Sequence, residues 1–136
     1  MNQPRAGCGA AIVKDGKILL MRRLKAPEAG CWGLPGGKID LYETAADACE
    51  REIAEELGVM ILAHDLLCVV DHIDREAGEH WVAPVYLATS CLGEPHNQEP
   101  AKCGGIGWFD LDDPPAPLTT AAATALRALE ARKHLP

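Results

Sequence analysis

Short apolar runs bounded by charges and turn residues dominate the first forty positions. Residues 9–14 (GAAIVK) and 17–23 (KILLMRR) predict two strands. Asp15-Gly16 between them reads as a two-residue hairpin turn, since such turns need positive φ and glycine adopts it freely. Residues 24–33 contain Pro27, Gly30 and Gly33 and predict a loop, and 32–39 (WGLPGGKI) a short strand broken at Pro35-Gly36-Gly37. Farther on, 66–73 (LLCVVDHI) and 81–88 (WVAPVYLA) predict strands around a polar turn at Gly78. Pro84 has no N–H to give a ladder, so the second is expected at an edge or a bulge. A Pro- and Gly-bearing loop over 93–105 leads to a short strand at 106–111 (IGWFDL).

Two segments change to the helical period. Residues 44–57 (TAADACEREIAEEL) open on Thr44 with Asp47 three positions later, a capping-box-like start, and stop at Gly58, where a left-handed cap belongs. At roughly 100° per residue, Ala46, Cys49, Ile53 and Leu57 form a core-facing stripe. Asp47, Glu50, Arg51 and Ala54 lean to solvent, while Ala45 and Ala48 leave room for a loop to approach. After Pro114–Pro117, residues 119–132 form a closing helix with Leu118, Ala122, Ala125, Leu126 and Leu129 on one face. One inserted and one terminal helix among mostly antiparallel strands predict an α/β sandwich. At 136 residues the chain is expected to form a single domain over 1–136.

Composition narrows the function. The N-terminus lacks a signal-peptide layout and no apolar run approaches the roughly 20 residues of a bilayer span, so a cytoplasmic protein without membrane contact is expected. Six cysteines (8, 31, 49, 68, 91 and 103) form no CxxC pair and read as reduced thiols. Cys91, His96 and Cys103 match no zinc spacing. The net charge of −7 is uneven: residues 1–40 hold seven Lys/Arg against three Asp/Glu, and residues 41–100 hold two against thirteen. Without a basic stripe, binding to a nucleic-acid polymer is not expected.

The most crowded acids lie on the first helix. Glu52, Glu55 and Glu56 share a sector about 100° wide. Two unit charges about 5 Å apart repel by roughly 3 kcal/mol at an effective dielectric near 20. An exposed acidic face neutralised by nearby Lys or Arg is one reading. A bound Mg²⁺ is the other, since hard dications take carboxylate oxygens.

Spacing separates the two. Gly37, Glu43, Arg51-Glu52-Ile53, Glu55-Glu56 and Gly58-Val59 match every specified position of the pattern G-x5-E-x7-R-E-U-x-E-E-x-G-U, with U apolar. The chain thus resembles the Nudix hydrolases. LPGGKIDLYETAADACEREIAEELGV, the preceding Arg22-Arg23 pair and EPAKCGGIGWFDLDDPP are similar to MutT-like nucleoside triphosphate pyrophosphohydrolases. The resemblance implies a Nudix-type α/β/α sandwich with the box on a loop–helix–loop. It implies that Glu52, Glu55 and Glu56 hold Mg²⁺, with Mn²⁺ as a substitute, and that the Gly37 carbonyl adds an oxygen. Glu43 and Arg51 would brace the motif, Glu52 would act as general base, and Glu99 matches the region of a further metal ligand. Arg23 or Arg22, which alternation sends to opposite faces, and Lys38 are candidates for the substrate phosphates. Trp32 and Trp81 are candidates for base stacking, against a core role.

The expected activity is hydrolysis of an NTP or dNTP to monophosphate and pyrophosphate, a step suited to nucleotide-pool sanitation. The alternative within the family is ADP-ribose or another nucleoside diphosphate linked to X. Subtype signatures for ADP-ribose and diadenosine-polyphosphate enzymes, a proline and a tyrosine downstream of the box, are absent from Ile-Asp-Arg-Glu-Ala at 73–77. A non-catalytic ligand sensor is disfavoured because every box glutamate is kept, and RNA decapping because no basic domain is added. The resemblance is also compatible with a homodimer.

Overall fold

A computed structural model describes residues 2–135. Seven strands and two helices follow in the order β1 (Arg5–Lys14), β2 (Lys17–Arg23), β3 (Trp32–Gly33), β4 (Gly36–Lys38), α1 (Ala45–Leu57), β5 (Leu66–Asp74), β6 (Glu79–Ala88), β7 (Cys103–Asp110) and α2 (Thr120–Arg132). The strands join as β3-β2-β1-β6-β5, with β4 added to β1 and β7 to β2. Of the strand pairs among the described residues, β1 with β6 is parallel and the rest are antiparallel. The β1–β2 hairpin turns on Asp15 (φ 53°) and Gly16 (φ 76°), both left-handed as a two-residue turn demands.

Strand alternation divides the core in two. Ala10 and Ile12 of β1 with Leu19 and Met21 of β2 pack against Cys49, Ile53 and Leu57 of α1. Their neighbours Ala11, Ile18 and Leu20 point the other way, with Val70 and Val85, onto Ala122 and Ala125 of α2. Each helix therefore covers one sheet face, and the expected α/β/α sandwich is observed. Full burial of Ile53 and Leu57 contributes about 1.5–3 kcal/mol each to holding α1 in place.

Four expectations are corrected. Strand β1 begins at Arg5 rather than residue 9, and β7 spans Cys103–Asp110 rather than 106–111. Strand β6 lies inside the sheet, between β1 and β5, despite Pro84. The parallel ladder to β1 runs through Arg5↔Trp81 and Ala6↔Val82 and resumes at Gly9↔Val85. The gap coincides with the missing Pro84 N–H, so the interior tolerates the proline. Ala48, expected beside the acids, is fully buried in the α1 core.

Candidate active site

Helix α1 is fixed at both ends by its own sequence. The Thr44 hydroxyl accepts the Asp47 amide at 3.0 Å, and Gly58, left-handed at φ 70°, donates its N–H to the Ala54 carbonyl at 3.0 Å. The segment before the helix is tied to it through Arg51. Its Nε and Nη2 donate to the two Glu43 oxygens at 2.7 and 2.9 Å, a bidentate fork. Nη1 donates to Glu52 at 2.9 Å and reaches Glu55 at 3.4 Å, while Nη2 also meets the Lys38 carbonyl at 3.1 Å and Asp40 at 3.4 Å. Arg51, expected on the solvent-leaning side, thus turns into the acidic sector. The guanidinium and the Asp40 amide hold the Glu43 carboxyl down at about 2.

Glu52 and Glu56 face inward from the helix. A Cβ on Gly37 would stand 2.5 and 2.7 Å from the Glu52 oxygens, so only glycine leaves that carboxylate its place. Glu56 Oε1 accepts the Gly36 amide at 2.9 Å. Burial pushes Glu56 up to about 8, outweighing that hydrogen bond, and burial likewise raises Glu52. Glu99 arrives from the loop before β7, and its charge raises both further. Glu52, Glu56 and Glu99 line one cavity of about 410 Å³, whose other walls carry Arg22, Arg23, Lys25, Lys38 and Lys102. The cavity therefore presents carboxylates on one side and cations on the other.

An oxygen-only donor set of crowded, half-desolvated carboxylates fits a hard divalent cation, and the glycine-made space beside Glu52 fits it too. Among the described residues, however, no three acidic, His or Cys side chains stand ready to close on an ion. They are turned to protein donors instead: Glu52 to Arg51, Glu56 to Gly36 and Glu99 to Lys102 at 3.3 Å. The Gly37 carbonyl accepts the Cys8 thiol at 3.5 Å. Glu55 is more than half exposed and does not line the cavity, although it shares Arg51 Nη1 with Glu52.

The other candidates divide by environment. Arg23 lines the acidic cavity and an adjoining cleft, and its Nε is held by the Pro27 carbonyl at 2.7 Å. Arg22 lines only the former; Lys38 lines both. Trp32 packs edge-on against Phe109, 4.9 Å between centroids, in the α2-side core, which settles it as packing. Trp81 lines the adjoining cleft. All six cysteines are free thiols.

Sequence reasoning missed four residues. Gln98 Nε2 donates to the Ala54 and Glu55 carbonyls at 2.7 and 3.0 Å and docks the Glu99 loop on the end of α1. Lys102 pairs with Glu99. Glu28 and His72 face each other across the adjoining cleft. None carries a periodic or motif signal; the polar fill of the loop over 93–105 was the only hint.

Fold and cavity together define an α/β protein with a cluster of carboxylates facing a basic rim. Residues 1–129 match the NUDIX domain family, and the chain belongs to it. A MutT NUDIX hydrolase from Burkholderia pseudomallei is 60% identical and superposes with a TM-score of 0.92 over 94% of this chain and 99% of that one. An ADP-ribose pyrophosphatase from Methanocaldococcus jannaschii is 36% identical over 112 residues, 82% of this chain. The match spans 65% of that relative's length. A putative 8-oxo-dGTP diphosphatase 2 from Mycobacterium tuberculosis is 48% identical over 52 residues, 38% of this chain and 37% of that protein.

Proposed function

We propose that this Nudix protein is a Mg²⁺-dependent hydrolase that splits a nucleoside triphosphate, NTP or dNTP, into the monophosphate and pyrophosphate, a reaction suited to nucleotide-pool sanitation. One observation carries the reading: three carboxylates from two elements rim the same cavity as two arginines and three lysines. A polyphosphate needs both, cations for its non-bridging oxygens and acids for the metal that accompanies it.

Glu52, Glu56 and Glu99 would hold the divalent ion, with Glu55 completing the box set from the exposed side and the Gly37 carbonyl as a backbone donor. The ion, when bound, neutralises phosphate charge and lowers the pKa of a coordinated water. Glu52 takes the proton of the attacking water, while Arg51 and Glu43 keep its carboxylate in place. Arg23 and Lys38, which border both cavities, orient the phosphates, with Arg22 at the outer edge. E52Q and E56Q are each expected to lower kcat by about 100-fold or more with the fold retained. Near-normal turnover in both would remove the site.

A second reading is favoured by the relative named as an ADP-ribose pyrophosphatase. It takes ADP-ribose, or another nucleoside diphosphate linked to X, at the same carboxylates. Product analysis over a substrate panel separates them. Pyrophosphate released from a triphosphate supports the first; AMP plus ribose 5-phosphate from ADP-ribose supports the second.

A further inference from the structure

Among the cations that line the acidic cavity, Arg23 is the one whose side chain a backbone carbonyl holds: its Nε donates to Pro27 at 2.7 Å. That is the side chain's only hydrogen bond among the described residues, and no carboxylate pairs with it there. Both terminal nitrogens are left for a ligand, and the charge they carry bears on Glu56 inside the cavity. A guanidinium in this state offers two donors side by side, a match for two oxygens of one phosphate. It has also given up part of its rotamer freedom before any ligand arrives, which lowers the cost of gripping one. Its aim depends on what keeps the Pro27 carbonyl in place.

That carbonyl belongs to the peptide joining Pro27 to Glu28. The Arg23 amide donates to the Cys31 carbonyl at 2.9 Å and the Gly30 amide to the Arg23 carbonyl at 2.7 Å, closing the loop on the end of β2. Glu28 ties the loop to a distant element. Its Oε2 accepts the amide of Thr120 at 2.7 Å and that residue's hydroxyl at 3.3 Å. Thr120 is the first residue of α2, so its amide has no partner within the helix. The other oxygen, Oε1, stands 3.8 Å from His72 Nδ1, too far for a hydrogen bond, so α2 is the anchor. Glu28 makes this contact from a left-handed backbone at φ 61°, which a residue bearing a Cβ adopts at a cost. Strain of that kind persists where the surroundings over-determine it, and it gathers at functional sites.

We propose that Glu28 is a positioning residue for Arg23: by fastening the Pro27–Glu28 peptide to the first turn of α2, it aims the guanidinium at the phosphates of the ligand. It acts through the Pro27 carbonyl. Helix α2 covers the sheet face opposite the box helix, and this contact gives it a hold on the phosphate end of the site. The inference rests on the reading of Arg23 as a phosphate ligand and adds the group that directs it.

Inorganic tripolyphosphate, which carries the phosphate chain without a base, is the probe, bound under Mg²⁺ in titration calorimetry beside KM and kcat for nucleoside triphosphates. In E28A, Kd and KM are expected to rise about 3- to 10-fold, with kcat changed less than about two-fold. E28Q keeps an oxygen that accepts from Thr120 and should bind within about two-fold of the wild type. T120P removes the amide itself. Proline suits the first helical position and an extended residue before it, and Thr119 is extended at φ −68° and ψ 161°, so α2 is kept while Glu28 loses its anchor. T120P should reproduce E28A, and it decides the matter alone if E28A does not fold. R23A should weaken tripolyphosphate about 10-fold or more, and E28A added to it should cost less than about two-fold further. Wild-type affinity in T120P, a loss in E28Q equal to that in E28A, or an E28A loss as large without Arg23 as with it overturns the proposal. So does wild-type affinity in R23A, which leaves the hydrolase reading intact if Mg²⁺-dependent cleavage persists. The expected couplings in a protein that cleaves no nucleotide would sink the hydrolase reading and leave this one standing.

Discussion

Arg51 shows how one side chain organises an acidic cluster without neutralising it. Its fork is spent on Glu43, outside the cavity, and one nitrogen is left for Glu52. Lysine keeps the charge but cannot make the fork. R51K is therefore expected to lower kcat by about 10-fold with KM for nucleotide little changed, read from steady-state kinetics. Glu56 is left without a cation of its own beyond the influence of Arg23, and burial raises it to about 8 against an ordinary 4.5. The sign follows. Between those values the folded protein binds more protons than the unfolded chain, so stability falls as pH rises through the window. In chelator, E56Q should match the wild type near pH 4.5 and exceed it by about 2–4 kcal/mol near pH 8, with Mg²⁺ closing the gap. Urea unfolding across that range checks it; a variant less stable throughout would mean that the fold needs the ionised carboxylate.

At the level of elements, α1 was legible because its information is local. A cap, an apolar stripe and a left-handed stop lie within fifteen positions of one another, and spacing alone puts Glu52 and Glu56 near one face. What that spacing could not tell is how far each carboxylate turns inward. Glu55 falls in the same sector yet stays exposed, since it sits on the side that no strand or loop covers. The loop bearing Glu99 was harder still. Its position depends on His96 N–H and Gln98 N–H donating to the Leu57 and Glu56 carbonyls at 3.1 and 3.0 Å, contacts about forty residues apart in sequence. The His72–Glu28 pair likewise links a strand to a loop with no shared pattern, and Pro84 misled because a single missing N–H fits inside a sheet where the ladder is already broken. Gly58 joins the two sides of this argument. It ends the helix, and a Cβ there would stand 2.5 Å from His96 Cε1, within the loop that delivers Glu99. G58A should cost about 1–2 kcal/mol from the left-handed backbone alone. It should also weaken Mg²⁺-dependent turnover more than a cap variant such as T44A, which loses about 1 kcal/mol of helix stability without touching the loop. Equal activity losses in the two would detach Glu99 from the end of α1.

Across the whole molecule the two helices respond to pH in opposite ways. On the α1 side the buried acids make the protein less stable as pH rises. On the α2 side, Arg132 grips Asp65 with a bidentate pair at 2.8 and 3.0 Å and adds the Leu66 carbonyl at 3.0 Å, pinning the end of α2 to the start of β5. That guanidinium holds the Asp65 carboxyl below its ordinary range. A depressed acid contributes stability above its unfolded value and loses it as pH falls through the folded one. From these groups, stability without metal should therefore peak near about pH 4.5, where the α2 tie is present and the unfolded chain has yet to release the Glu56 proton that the fold retains. D65N isolates the lower limb. Its urea midpoint should lie below that of the wild type at pH 7 and close on it progressively as pH falls below the ordinary 3.8 and through the depressed value at which the folded wild-type carboxyl takes up its proton. The E56Q comparison diverges in the other direction over the same titration. A D65N protein whose deficit stays constant down to pH 3 would show that the contact acts through packing of the arginine stem and not through charge.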